Sequence, residues 1–258
     1  MSRDQAPPHY SPPHAALRWL WQNAMFWLIL VVFVPSLLLV MLLTLGRARD
    51  SLGRPMLRAW GRAMLKVLGV KLEVQPELEA ILATRQRRIL TFNHTSTLDM
   101  FLFPAIWCPG MTVVAKREML YVPLVGLGCW LMGFHFVNRT NPTTARASMR
   151  VAAEQLREKN LSLLMSPEGT RSPSGELLPF RLGAFHASAD ADAPIVAIAV
   201  RGTETTWPRR WAFCRPGTVR LELLTTMPSG TADPSREAIH ARAEHLRGLY
   251  QAAIYDLR

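Results

Sequence analysis

The chain has 258 residues, a formal net charge of +11, 49% hydrophobic residues and only 19% charged ones. That hydrophobic content excludes disorder for most of the chain. Three scattered cysteines without a CxxC pair exclude a disulfide scaffold and suit free thiols in a reducing compartment. The basic excess calls for an anionic partner, whether nucleic acid, a membrane surface or a phosphorylated substrate.

Residues 1–23 begin with four prolines in sixteen positions and read as a flexible tail. Residues 24–45 then carry no charged side chain. As a helix they are long enough to cross a hydrocarbon layer of roughly 30 Å. Trp19, Trp21 and Trp27 stand at the N-terminal edge, where indoles favour the interface. A core helix of this length normally keeps a polar face, and a signal peptide has a shorter apolar region, about 7–15 residues. The run therefore reads as a membrane anchor. Pro35 fits either a kink in a spanning helix or the bend of a re-entrant hairpin. Arg47, Arg49, Arg54, Arg58 and Arg62 follow at once, which places the rest of the chain on the cytoplasmic side.

Residues 46–70 alternate Leu52, Met56, Leu57, Trp60, Met64 and Leu65 with arginines. This is a basic amphipathic helix, suited to lipid headgroups or simply to a solvated basic face. Residues 71–258 form the main domain. Apolar strand-like runs at 67–74, 88–92, 111–115, 161–165, 194–200 and 219–224 are separated by longer segments. Asn141 and Pro142 supply an N-cap and first position for a helix to Lys159, with Ala145, Met149, Ala152 and Leu156 on one face. A charged amphipathic helix closes the chain from Pro234. Continuous apolar strands between helices predict an α/β fold, a mixed, mainly parallel sheet flanked by helices.

Three polar clusters follow strand-like runs, where α/β sheets carry their sites. The first is Asn93-His94-Thr95-Ser96-Thr97-Leu98-Asp99. Ser96 and Asp99 match a capping box, with Ser96 as N-cap and Asp99 in the first helical turn. That leaves His94 unexplained. A chain reversal there brings the Asp99 carboxylate towards one imidazole nitrogen and leaves the other free to take a proton, the general-base half of a catalytic triad. The second cluster is Ser166-Pro167-Glu168-Gly169-Thr170-Arg171. Arg171 offers a planar fork for a phosphate, Glu168 an acceptor for Arg171 or a substrate hydroxyl, and Gly169 close backbone approach. The third contains Lys116 and, after an apolar stretch, Arg139. Lys116, Arg139 and Arg171 are three cations with one anion to share. Cys108 is readable as an acyl-accepting nucleophile, but its apolar setting favours a structural thiol. His135, His186, His240 and His245 lack an acid at a matching spacing, and Trp207-Pro208-Arg209-Arg210-Trp211 reads equally as a loop or an interfacial contact.

These residues resemble the membrane-bound glycerolipid acyltransferases, particularly the bacterial 1-acyl-glycerol-3-phosphate branch. NHTSTLD is similar to the family's NHxxxxD block. KREMLYVPLVGLGCWLMGFHFVNR resembles the second block, with Arg139 in its arginine position. SPEGTRSPSGELLPFRLGAF resembles the third and APIVAIAV the fourth. Ser166 stands where the third block usually has an aromatic residue, and Arg181 where lysine is common. The resemblance implies acyl transfer from acyl-CoA or acyl carrier protein to the sn-2 hydroxyl of 1-acyl-glycerol-3-phosphate, giving phosphatidate. It implies His94 as base, Asp99 as its orienter, and Lys116, Arg139, Glu168, Gly169, Thr170 and Arg171 around the acceptor, supported by Asn93 and Ser96. It requires no metal or prosthetic group, because the thioester is a cosubstrate, and no nucleic acid. Its setting is a bilayer, expected to be a bacterial inner membrane with the domain on the cytoplasmic side. Other lysolipid acceptors, a hydrolase built on the same pair, and a noncatalytic membrane-anchored lipid-binding protein are the competing readings.

Overall fold

A computed structural model describes residues 12–138, 142–172, 176–207, 211–231 and 234–254. Seven strands form one sheet: β1 (Val70–Val74), β2 (Arg88–Phe92), β3 (Met111–Lys116), β4 (His135–Val137), β5 (Ser162–Met165), β6 (Ile195–Arg201) and β7 (Gly217–Met227). Their order is β1-β7-β6-β2-β5-β3-β4, and every neighbouring pair is parallel except β6 with β7. The mixed, mainly parallel α/β sheet is thus as expected. β2 and β6 are buried nearly throughout because both faces are covered.

One layer contains α1 (Pro12–Leu43), α2 (Arg54–Leu68), α3 (Pro76–Ala83), α4 (Asp99–Ala105) and α5 (Val125–Leu131). The opposite layer contains α6 (Pro142–Lys159), α7 (Gly183–Asp190) and α9 (Arg236–Ile254), while the short α8 (Thr203–Thr206) caps the end of β6. Two apolar cores result, one under each layer. Gly61 of α2 meets α4 so closely that a Cβ there would lie 2.5 Å from the Ala105 nitrogen. The glycine lets these two helices touch backbone to backbone.

The N-terminal segment corrects one expectation and decides between two others. Residues 12–23, assigned to the tail, already belong to α1. Pro35 lies inside that continuous helix and bends nothing back. The reversal comes later, where Leu45 (φ +50°) and Gly46 (φ +74°) lead into a π-helical turn at Arg49–Gly53 and then α2. α1 and α2 therefore make a helical hairpin. Among the described residues, α1 is the one helix long and apolar enough to cross a membrane. It is nonetheless fastened to the domain. Arg18 Nε and Gln22 Nε2 donate to the Cys214 carbonyl at 2.9 and 2.8 Å, and Gln22 Oε1 accepts from the Cys214 amide. Phe33 stacks on Trp60 at 5.6 Å, and Phe26 meets Phe101 of α4 edge-on at 6.0 Å.

Candidate active site

The topology decides which clusters meet. β2, β5, β3 and β4 are consecutive neighbours and all parallel. Their C-terminal ends therefore lie in a row about 4.8 Å apart. These four ends lead to His94, to Glu168–Arg171, to Lys116 and to Asn138, so segments far apart in sequence converge on one end of the sheet. Arg139 itself lies outside the described residues.

At the end of β2, His94 Nδ1 is 2.6 Å from Asp99 Oδ2. The imidazole is 27% exposed and the Asp99 side chain only 2%. With Asp99 Oδ2 as the acceptor, the imidazole carries its proton on Nδ1 and its lone pair on Nε2. Asp99 Oδ1 is buried with no hydrogen-bond partner among the described residues. Phe92 packs edge-on against the ring at 5.4 Å. The predicted cap is shifted. Regular helix begins at Asp99, with Leu98 in the N-cap position. Ser96 still acts locally: its Oγ accepts from the Leu98 amide at 3.0 Å, and its amide points at Asp99 Oδ2 at 3.5 Å. Ser96 Oγ also donates to the Trp207 carbonyl at 2.5 Å. Asn93 is a clamp. Its side chain donates to and accepts from the Val200 backbone at 2.9 and 2.8 Å, tying the end of β2 to β6.

The second cluster is arranged differently from the expectation. Glu168 is 2% exposed and takes neither Arg171 nor an open position. Its Oε1 accepts from the His94 amide and its Oε2 from the Leu178 amide, both at 2.9 Å. It braces the His94 turn from the neighbouring strand end. Burial, helped by the Asp99 charge, pushes its carboxyl above the usual range, against the pull of those two amides. Ser172 returns a further bond, its amide donating to the His94 carbonyl at 3.2 Å. Gly169 has φ +71°, and a Cβ there would lie 2.7 Å from Arg181 Cδ, so this turn requires glycine. Arg171 Nη1 donates to Thr97 Oγ1 at 2.6 Å, which puts the guanidinium against the turn carrying His94. Thr170 is exposed. Lys116 is exposed too, 3.4 Å from Glu118 Oε1, and sits two strands from His94.

Sequence reasoning missed Thr97 as the partner of Arg171 and the Leu178 amide as the partner of Glu168. The sole signal for either would have been the adjacency of β2 and β5. Cys108 is buried beside Arg88, at the opposite end of β2 from His94, and burial raises its thiol pKa; it is a structural thiol. A groove of about 600 Å³ runs beneath α2, bounded by Arg58, Arg62 and the edge strand β1, and His94 does not line it. Among the described residues, no three His, Cys, Asp or Glu side chains cluster as metal ligands.

A family model described as Acyltransferase matches residues 73–201, which hold both clusters. The 1-acyl-sn-glycerol-3-phosphate acyltransferase of Cocos nucifera is 30% identical over 223 residues, spanning 86% of this chain and 70% of the relative. The enzyme of that name from Limnanthes alba is 32% identical over 215 residues, 83% and 74% of the two chains. That from Saccharomyces cerevisiae is 32% identical over 192 residues, 74% and 62%. Among solved structures, the 1-acyl-sn-glycerophosphate acyltransferase PlsC of Thermotoga maritima superposes with a TM-score of 0.74. At 21% identity, covering 93% of this chain and 97% of that one, it shows a shared fold.

Proposed function

Because the chain belongs to the Acyltransferase family, we propose that it acylates the sn-2 hydroxyl of 1-acyl-glycerol-3-phosphate to give phosphatidate, with acyl-CoA or acyl carrier protein as donor. The observation that carries this reading is the His94–Asp99 pair with Arg171 held against the same turn. The relatives named for this reaction support the choice of acceptor.

His94 Nε2 takes the proton of the acceptor hydroxyl as its oxygen attacks the thioester carbonyl carbon. The tetrahedral intermediate collapses, the C–S bond breaks, and the imidazolium returns a proton to the departing thiolate. Asp99 stabilises the imidazolium across the 2.6 Å contact. Arg171 binds the acceptor phosphate, Lys116 adds positive charge along the row of strand ends, and Arg139, which the family resemblance implies for the same anion, adds its own. Thr170 and Gly169 shape the rim, and Glu168 holds His94 in place from behind. The chemistry uses no metal or prosthetic group.

The arginines after α1 support a domain on the cytoplasmic side, and the membrane of the proposal is a bacterial inner membrane. The contacts of α1 with α2 and α4 support an anchor that lies against the domain rather than a free stalk.

The test is transfer from labelled acyl-CoA, and in parallel from acyl carrier protein, to 1-acyl-glycerol-3-phosphate in detergent. Wild type forms phosphatidate, and His94→Ala lowers the rate about 10²–10⁴-fold. Equal rates for the two proteins eliminate His94 as the base. Product only with a different lysolipid eliminates the proposed acceptor.

A further inference from the structure

The stretch between Lys116 and Arg139 resembles a family block, yet its middle has no role in the site above. In the structure, residues 117–131 form a 3-10 turn (Arg117–Tyr121) followed by α5. Five large apolar side chains stand out of this short hairpin: Tyr121 at 68% exposure, Trp130 at 61%, Val122 at 40%, Leu120 at 39% and Leu127 at 36%. A cluster of this density on a domain surface marks a contact site.

Three observations identify the occupant. First, the patch continues the exposed face of α1. α5 packs directly on α1, with Gly128 against Val34, and the outward side chains of α1 include Trp27, Leu28, Val31 and Val32. Secondly, the two most exposed members are a tyrosine and a tryptophan, the side chains that settle where hydrocarbon meets water. Thirdly, cations flank the hairpin. Lys116 and Arg117 stand exposed at its start, and the Arg49 guanidinium lies against Gly133 after its end. In a chain of net charge +11, two copies of this patch would bring like charges together, whereas an anionic lipid surface complements them.

We propose that the 117–131 hairpin is a second membrane-inserting element beside α1. The proposal rests on the reading of α1 as the membrane anchor and extends it. One embedded helix fixes the depth of the domain but leaves it free to roll about the helix axis. A second contact beside it fixes the roll. The hairpin grows from the C-terminal end of β3, two strands from His94, so it seats the catalytic end of the sheet against the lipid.

The test uses the full chain bound to vesicles of phosphatidylcholine and phosphatidylglycerol, the phosphatidylcholine bearing tritiated acyl chains. The photo-crosslinker p-benzoylphenylalanine is placed singly at Leu28 of α1, Tyr121, Trp130, or Val151 of α6, which is exposed on the opposite layer. The expected result is tritiated lipid adduct at Leu28, Tyr121 and Trp130, several-fold above the level at Val151. Adduct at Leu28 with none at Tyr121 or Trp130 overturns the second contact while leaving the anchor intact. Absence of adduct at Leu28 overturns the membrane reading itself. Crosslinked dimer at Trp130 in place of lipid adduct makes the patch a self-interface and overturns the proposal.

Discussion

Two carboxylates stand one strand apart at the same end of the sheet, equally buried, and they are used in opposite ways. Asp99 gives one oxygen to the His94 ring and leaves the other without a partner among the described residues. Glu168 spends both oxygens on backbone amides, one of them the amide of His94 itself. The first acts on the electronic state of the imidazole and the second on its position. Burial alone therefore does not tell the two carboxylates apart; the identity of the donor does.

This contrast can be broken by substitution. Asp99→Asn keeps the shape but removes the charge and lets an amide N–H donate to Nδ1, so the Nδ1–H tautomer is no longer enforced. It is expected to lower kcat about 10²–10⁴-fold with an almost unchanged melting temperature. A mutant that melts early instead would give Asp99 the structural role. Glu168→Ala orphans two buried amides at about 1–3 kcal/mol each. It is expected to lower the urea midpoint first and the rate as a consequence, with added formate or acetate restoring neither. Loss of rate without loss of stability would move Glu168 into the chemistry.

The smallest effect sharpens a parallel contrast between histidines. Among the described residues His135 in β4 has no carboxylate partner, and burial, with the charge of Lys159, lowers its pKa from the ordinary 6.5. The unfolded chain then takes up the proton first as pH falls, so stability present above about pH 6.5 is lost below it. Between about pH 7.5 and about pH 5.5, wild type should lose more of its urea midpoint than His135→Leu does. Parallel slopes for the two proteins would assign the acid sensitivity elsewhere.

Local signals made much of the molecule legible. The strands 88–92, 111–116, 162–165 and 195–201 are short apolar runs with polar ends, and α6 is marked by its proline start. The His94–Asp99 pair was readable because both partners lie within one turn of chain. β4 had no bounds in the sequence, because a strand of three residues is too short to show a period. Nor was the role of Glu168 or Asn93 readable. Their partners lie 74 and 107 residues away and become neighbours only through the parallel order of β2, β5 and β6. The start of α1 was misplaced because prolines at 12 and 13 suggest a tail, although proline is well tolerated in a first helical turn.

The clasp of Arg18 and Gln22 on Cys214, at one end of α1, has its counterpart near the other end, where Met41 closes on Gly53. A helix held at both ends cannot pay out like a tether. With α1 in lipid, His94 is confined to one height above the bilayer. The search for an acceptor is then a walk in two dimensions, set by lateral diffusion and by the surface density of lysolipid rather than by its concentration in the cell.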